Sequence, residues 1–130
     1  MALKEKLEAL YHLYAVLRWK LWRHGRGMRH SDEKESIRET HWVLHMKEEM
    51  LETKKKIKRL LEKAKKRKAQ LQEQLAELKM KRQKAFSKLG PQQMDQIKKL
   101  ERKFRQQYRI LTAELNIINE CLEYASKKSR

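Results

Sequence analysis

Apolar residues return every three or four positions along three long stretches of the chain, the spacing of one helix face. In the first stretch Leu3, Leu7, Leu10, Tyr14, Leu17 and Leu21 alternate steps of four and three, a heptad seam. Tyr11, Val16, Trp19 and Trp22 widen that face beyond a narrow seam. This helix is therefore expected to meet more than one neighbour.

The second stretch carries Val43, Met50, Ile57, Ala64, Leu71, Leu78 and Ala85 at every seventh position, with Met46 and Leu60 between them. Further on the intermediate positions turn polar at Arg67, Gln74 and Lys81, while Leu61, Leu75 and Phe86 add apolar surface beside the seam. A separate stripe of Ile37, Leu44 and Leu51 lies on a different face of the same helix. The third stretch is the most regular: Met94, Ile97, Glu101, Phe104, Tyr108, Leu111, Leu115, Ile118 and Leu122, flanked by Leu100, Ile117 and Cys121. Only Glu101 interrupts its apolar series.

Two breaks separate these stretches. Gly25 and Gly27 sit in the segment from His24 to His30, and Gly90-Pro91 forms the second break. Glycine past a helix end takes the left-handed conformation without strain, and proline cannot continue the hydrogen-bond ladder. Ser31, followed by Asp32 and Glu33, has the form of an N-cap with a negative first turn. A short Gly-Pro connection favours antiparallel neighbours, so the second and third stretches are expected to fold back on each other. Pairing about that turn brings together residues whose numbers sum to about 181, which places Lys81 near Glu101 and Arg67 near Glu114.

The expected fold is all-α: an elongated antiparallel coiled-coil αα-hairpin with a long central helix, plus an N-terminal amphipathic helix. Its divisions are 1–27 for the aromatic and basic N-terminal helix, 28–125 for the hairpin and 126–130 for a basic tail. Within the hairpin the long helix covers about 32–88, the turn 89–91 and the return helix 92–125. The expected hairpin core is Leu71, Leu78 and Phe86 on one helix. Facing them are Met94, Ile97, Phe104, Tyr108, Leu111, Leu115, Ile118 and Leu122 on the other.

Composition sharpens the picture. Hydrophobic and charged residues each make up 39% of the 130 positions, with only three glycines and one proline, too few turn-formers for a many-element fold. Helices of this kind bury one stripe each and lean on partner helices for the rest. Thirty-four Lys and Arg against seventeen Asp and Glu leave a net charge of +17, so a polyanionic neighbour is expected. Cys121 is the sole cysteine, which excludes an internal disulfide and fits a reducing compartment. Met1 to Leu10 carry Glu5 and Glu8 without a continuous apolar run, against a signal peptide. No segment approaches the ~20 apolar residues of a membrane span. The expected location is intracellular: cytoplasm or cytoskeleton, the cilium included, with the nucleus as the alternative.

The charge is densest in Lys54, Lys55, Lys56, Lys58 and Arg59, followed by Lys63, Lys65, Lys66, Arg67 and Lys68, where Glu62 is the only acid. Such a band can track phosphates or acidic side chains, whereas a balanced charge run would read as a solvated helix face. Protein-interface candidates are Tyr11, Trp19, Trp22 and Trp42, because aromatic anchors dominate interface energies, together with Leu44 and Leu51. Arg18, Lys20, Arg23, Arg26 and Arg29 surround the tryptophans, a pattern also suited to an anionic membrane or a calmodulin-like groove.

His41 and His45 share a helix face at i, i+4, but the glutamate that a zinc protease places after its first histidine is missing, so a structural role is expected. No phosphate loop, catalytic carboxylate pair or nucleophile-base set appears, and neither a metal nor a cofactor is expected. The expectation is a non-enzymatic coiled-coil subunit, a scaffold that joins other helical subunits and docks its basic band on an acidic surface of the microtubule type. A nucleic-acid-binding subunit of a ribonucleoprotein or chromatin complex is the alternative. Third comes a calmodulin- or membrane-binding helix within residues 1–30.

Overall fold

The three apolar stretches fold as three helices: α1 Leu3–Gly27, α2 Glu33–Ser87 and α3 Met94–Lys128, and the fold is all-α with no strand among the described residues. The structure is a computed structural model that describes residues 2–27 and 33–129, with side chains described at 2–24 and 40–129. The Ser31-Asp32 cap and His30 lie outside the described residues, as do the side chains of Arg26, Arg29, Glu33 and Ile37. Gly25 and Gly27, read in sequence as part of a break, belong to the last turn of α1.

The chain divides into two compact units, Met1–Glu62 and Lys63–Arg130, with α2 contributing to both. In the first unit α1 and α2 run in opposite directions. The His24 ring lies 4.4 Å from that of Trp42, and the Lys54 ammonium lies 5.4 Å from the ring centre of Tyr14, so one helix descends in number as the other rises. Leu7 and Leu17 are the buried residues of the α1 seam, with Leu3, Leu10, Tyr14 and Leu21 half-buried around them. Ile57 is buried on α2, and so is Thr53. The Thr53 hydroxyl donates to the Glu49 carbonyl at 2.7 Å, which removes the penalty of burying an unpaired polar group.

In the second unit the remainder of α2 pairs with α3, again in opposite directions. Arg67 meets Glu114 and Arg82 meets Glu101, while the rings of Phe86 and Phe104 stand 6.4 Å apart near the turn. Ala64, Leu71, Ile118, Cys121 and Ala125 are buried. Leu78, Phe86, Ile97, Phe104, Leu111, Leu115 and Leu122 are half-buried. Two of the expected core residues are not core. Met94 is the first residue of α3, where helix pairing is ending, and Tyr108 stands 57% exposed because two helices cover a seam position from one side only.

The connection between α2 and α3 is longer than a Gly-Pro pair. The Leu89 N–H donates to the Phe86 carbonyl at 3.3 Å, and the Gln93 N–H to the Gly90 carbonyl at 3.1 Å. The Gln93 side chain in turn accepts from the Gly90 N–H at 3.3 Å. These bonds hold Gln92 and Gln93 outside α3, two residues later than the sequence pattern placed its start. No described glycine has a positive φ, so Gly90 does not end α2 by the left-handed route expected of it. At its other end α3 runs on through Ser126 to Lys128, taking in most of the expected tail. The Ser129 N–H closes this end on the Ala125 carbonyl at 3.1 Å.

A candidate polyanion-docking band and its apolar neighbours

The basic band forms where α2 has a single acidic residue, Glu62, among its lysines and arginines. Lys54, Lys55, Lys56, Lys58, Arg59, Lys63, Lys65 and Lys66 are all exposed, and Lys68 is half-buried. At 100° per residue the eight exposed cations spread around the rest of α2, whereas Lys68 falls beside the buried stripe of Ile57, Ala64 and Leu71. Two charges are partly engaged. The Lys55 ammonium reaches Glu52 at 3.5 Å on the helix surface, and Lys54 leans over Tyr14. Solvent-exposed contacts of this kind are weak and leave the ammonium groups available.

Arg67 differs from its neighbours in the band. Its Nε donates to Glu114 Oε1 at 2.7 Å and its Nη2 to Oε2 at 2.9 Å, a two-pronged bond, and Nη1 reaches Gln70 at 3.4 Å. The hydrogen bond from Arg67 holds the Glu114 carboxyl below the ordinary glutamate value, with partial burial opposing and charge attraction adding. The same bond raises the Arg67 guanidinium. Arg67 is thus paired with Glu114 across α2 and α3, unlike the cations beside it. Near the turn Glu101 meets Arg82 at 4.0 Å, the neighbour of the expected Lys81.

The interface candidates divide in two. Trp19, Trp22, Leu44 and Leu51 are each more than half exposed, while Tyr11 and Trp42 are half-buried. The Arg23 guanidinium lies 5.2 Å from the Trp19 ring centre, so charge and aromatic surface are presented together. Trp42 packs on His24 and belongs to the α1–α2 contact. His45 contacts Glu49 at 2.9 Å on the helix surface, and among the described residues no group of three or more His, Cys, Asp or Glu could hold a metal ion.

Sequence reasoning missed one feature. On the α2–α3 pair a groove of about 620 Å³ opens between Leu75 and Leu78 of α2 and Phe104 and Tyr108 of α3. The signal was present as Leu75 beside the seam and a tyrosine within it, but a groove depends on which seam positions a two-helix pair leaves open.

Fold and site define an all-α protein with a basic helical band. No protein-family model, curated protein or solved structure matches the chain. Over the described residues no helix is long and apolar enough to cross a membrane.

Proposed function

We propose that the protein is a non-enzymatic assembly subunit of coiled-coil type that docks through its basic band onto an acidic protein lattice such as a microtubule. Helical partner subunits are held at the exposed Trp19, Trp22, Leu44 and Leu51. The observation that carries this reading is the exposure of eight successive cationic side chains from Lys54 to Lys66 with one acid, Glu62, among them. A charge band of this density concentrates acidic surfaces around it and speeds their capture. Nucleic acid offers the same charge. However, the tryptophans lie outside the band, whereas binders of single strands interleave stacking aromatics with their cations.

The test is co-sedimentation with polymerised microtubules beside binding to a labelled RNA duplex, each over a salt series. Retention on microtubules at physiological salt is expected, together with RNA binding that fades steeply as salt rises. Exchanging Lys55, Lys58, Lys65 and Lys66 for glutamate should abolish retention and leave helicity intact. Tight RNA binding at physiological salt without microtubule retention would replace this reading with the nucleic-acid one.

A further inference from the structure

We propose that the groove beside Tyr108 is the seat of an acidic amphipathic helix supplied by a different protein chain. The site is separate from the basic band and stands or falls without it.

The shape argues for a helix. On α2 the groove is lined by Ala76 and by the four positions 75, 78, 79 and 82, and on α3 by the four positions 101, 104, 105 and 108. Each set follows the i, i+3, i+4, i+7 stripe that one helix presents to another, so the groove lies between two parallel rows of side chains that a third helix can pack against. Its apolar contributors Leu75, Leu78 and Phe104 are only half-buried, and Tyr108, which occupies a seam position of α3, keeps 57% of its surface exposed. A seam tyrosine left open on a two-helix pair is what a third helix would cover, and tyrosine is among the residues that anchor interfaces most strongly.

The charge argues for an acidic occupant from another chain. Lys79, Arg82 and Arg105 border the groove against a single acid, Glu101, which Arg82 already approaches at 4.0 Å. Lys79 and Arg105 have no acidic partner within ion-pair distance among the described residues. A second copy would bring an identical basic rim on a chain of net charge +17, so self-association through this groove is opposed by like charge. A helix with leucines on one face and glutamates beside them satisfies both the floor and the rim.

The experiment uses the full chain and two synthetic helical peptides of equal length and equal negative charge. One carries leucine at its heptad seam positions and the other carries serine there. At physiological salt the leucine peptide is expected to bind about tenfold or more tightly than the serine peptide, a difference of about 1.4 kcal/mol or more. Tyr108→Ala should remove most of that difference. Lys79→Glu with Arg105→Glu, two exposed positions whose exchange leaves the helix pair intact, should weaken the leucine peptide and favour a basic leucine peptide instead. The charge-reversed band variant should preserve the preference for leucine over serine, which separates this site from the docking band. Equal binding of the two peptides would overturn the proposal, as would leucine-peptide binding indifferent to Tyr108→Ala. A dimer in sedimentation equilibrium that Tyr108→Ala dissociates would assign the groove to a second copy and also overturn it.

Discussion

Arg67 and Glu114 are 47 residues apart in sequence and are joined by two parallel hydrogen bonds of 2.7 and 2.9 Å, one from each of two guanidinium nitrogens to each carboxylate oxygen. Paired forks of this kind fix orientation as well as proximity. The bond therefore sets the register of α3 on α2 at one point. Because the folded state holds the Glu114 carboxyl below its ordinary value, the unfolded chain binds more protons in the range between the two values. The stabilisation is thus fully present above the ordinary glutamate value and is lost as pH falls through the lowered one. Comparing urea midpoints of the parent and Glu114→Gln from neutral pH into acid should show a difference that is largest at neutral pH and disappears at the acid end. With about 40% of each side chain exposed, the neutral-pH difference should be modest. A difference that grew in acid would contradict the assignment.

Burial separates leucines that look alike in sequence. Leu71 is 0% exposed and Leu44 is 52% exposed, although each belongs to an apolar series on α2 spaced by seven residues. Leu71→Ala removes a fully buried side chain and leaves a void, so it should cost about 2 to 5 kcal/mol. Leu44→Ala should stay within about 0.5 kcal/mol in the isolated chain. Denaturant titrations followed by circular dichroism measure both. A large cost at Leu44 would mean that its face is already covered in solution.

The helices and their buried stripes were legible because one signal, the three-and-four spacing, dictates both. The series from Val43 to Ala85 is buried or half-buried at every position, and the α1 seam likewise. Legible too was the Arg67–Glu114 pair, since a polar residue in a seam needs an opposite charge across it. Spacing alone does not give solvent access, so the openness of Tyr108 and Met94 was hidden. The choice of Arg82 over Lys81 was hidden for a related reason: spacing does not say which of two adjacent long side chains turns toward Glu101. Thr53 gave no apolar signal at all, yet it is buried because its own helix supplies the acceptor for its hydroxyl.

Gly90 looks indispensable in sequence and is not so in the structure. It has no positive φ, and a Cβ built on it would meet nothing within 4 Å. An alanine there fits the backbone as it stands while restricting the unfolded chain, so Gly90→Ala should stabilise the protein by about 0.4 to 1 kcal/mol. A rise in thermal midpoint is the expected reading. A fall would show that the turn in solution uses a left-handed residue at this position after all.

Uncompensated charge on α2 is what the proposed docking relies on, and the same charge works against the fold. Lys54 and Lys58, Lys55 and Arg59, and Arg59 and Lys63 are like-charged pairs four residues apart, each destabilising a helix by about 0.2 to 0.5 kcal/mol. Glu62 offsets this only locally, toward Lys58 and Lys66. Raising ionic strength from 0.01 M to 1 M shortens the screening length from about 30 Å to about 3 Å, which suppresses repulsion between exposed lysines more than it weakens the partly buried, hydrogen-bonded Arg67–Glu114 pair. The thermal midpoint by circular dichroism should therefore rise with sodium chloride. Replacing Lys63 by glutamate turns its repulsive pair with Arg59 into an attractive one. That variant should melt higher than the parent at low salt and gain less, or lose, as salt is added. A parent midpoint that falls with salt would mean that attractive pairs outweigh the band, and the energetic strain attributed here to its lysines would have to be abandoned.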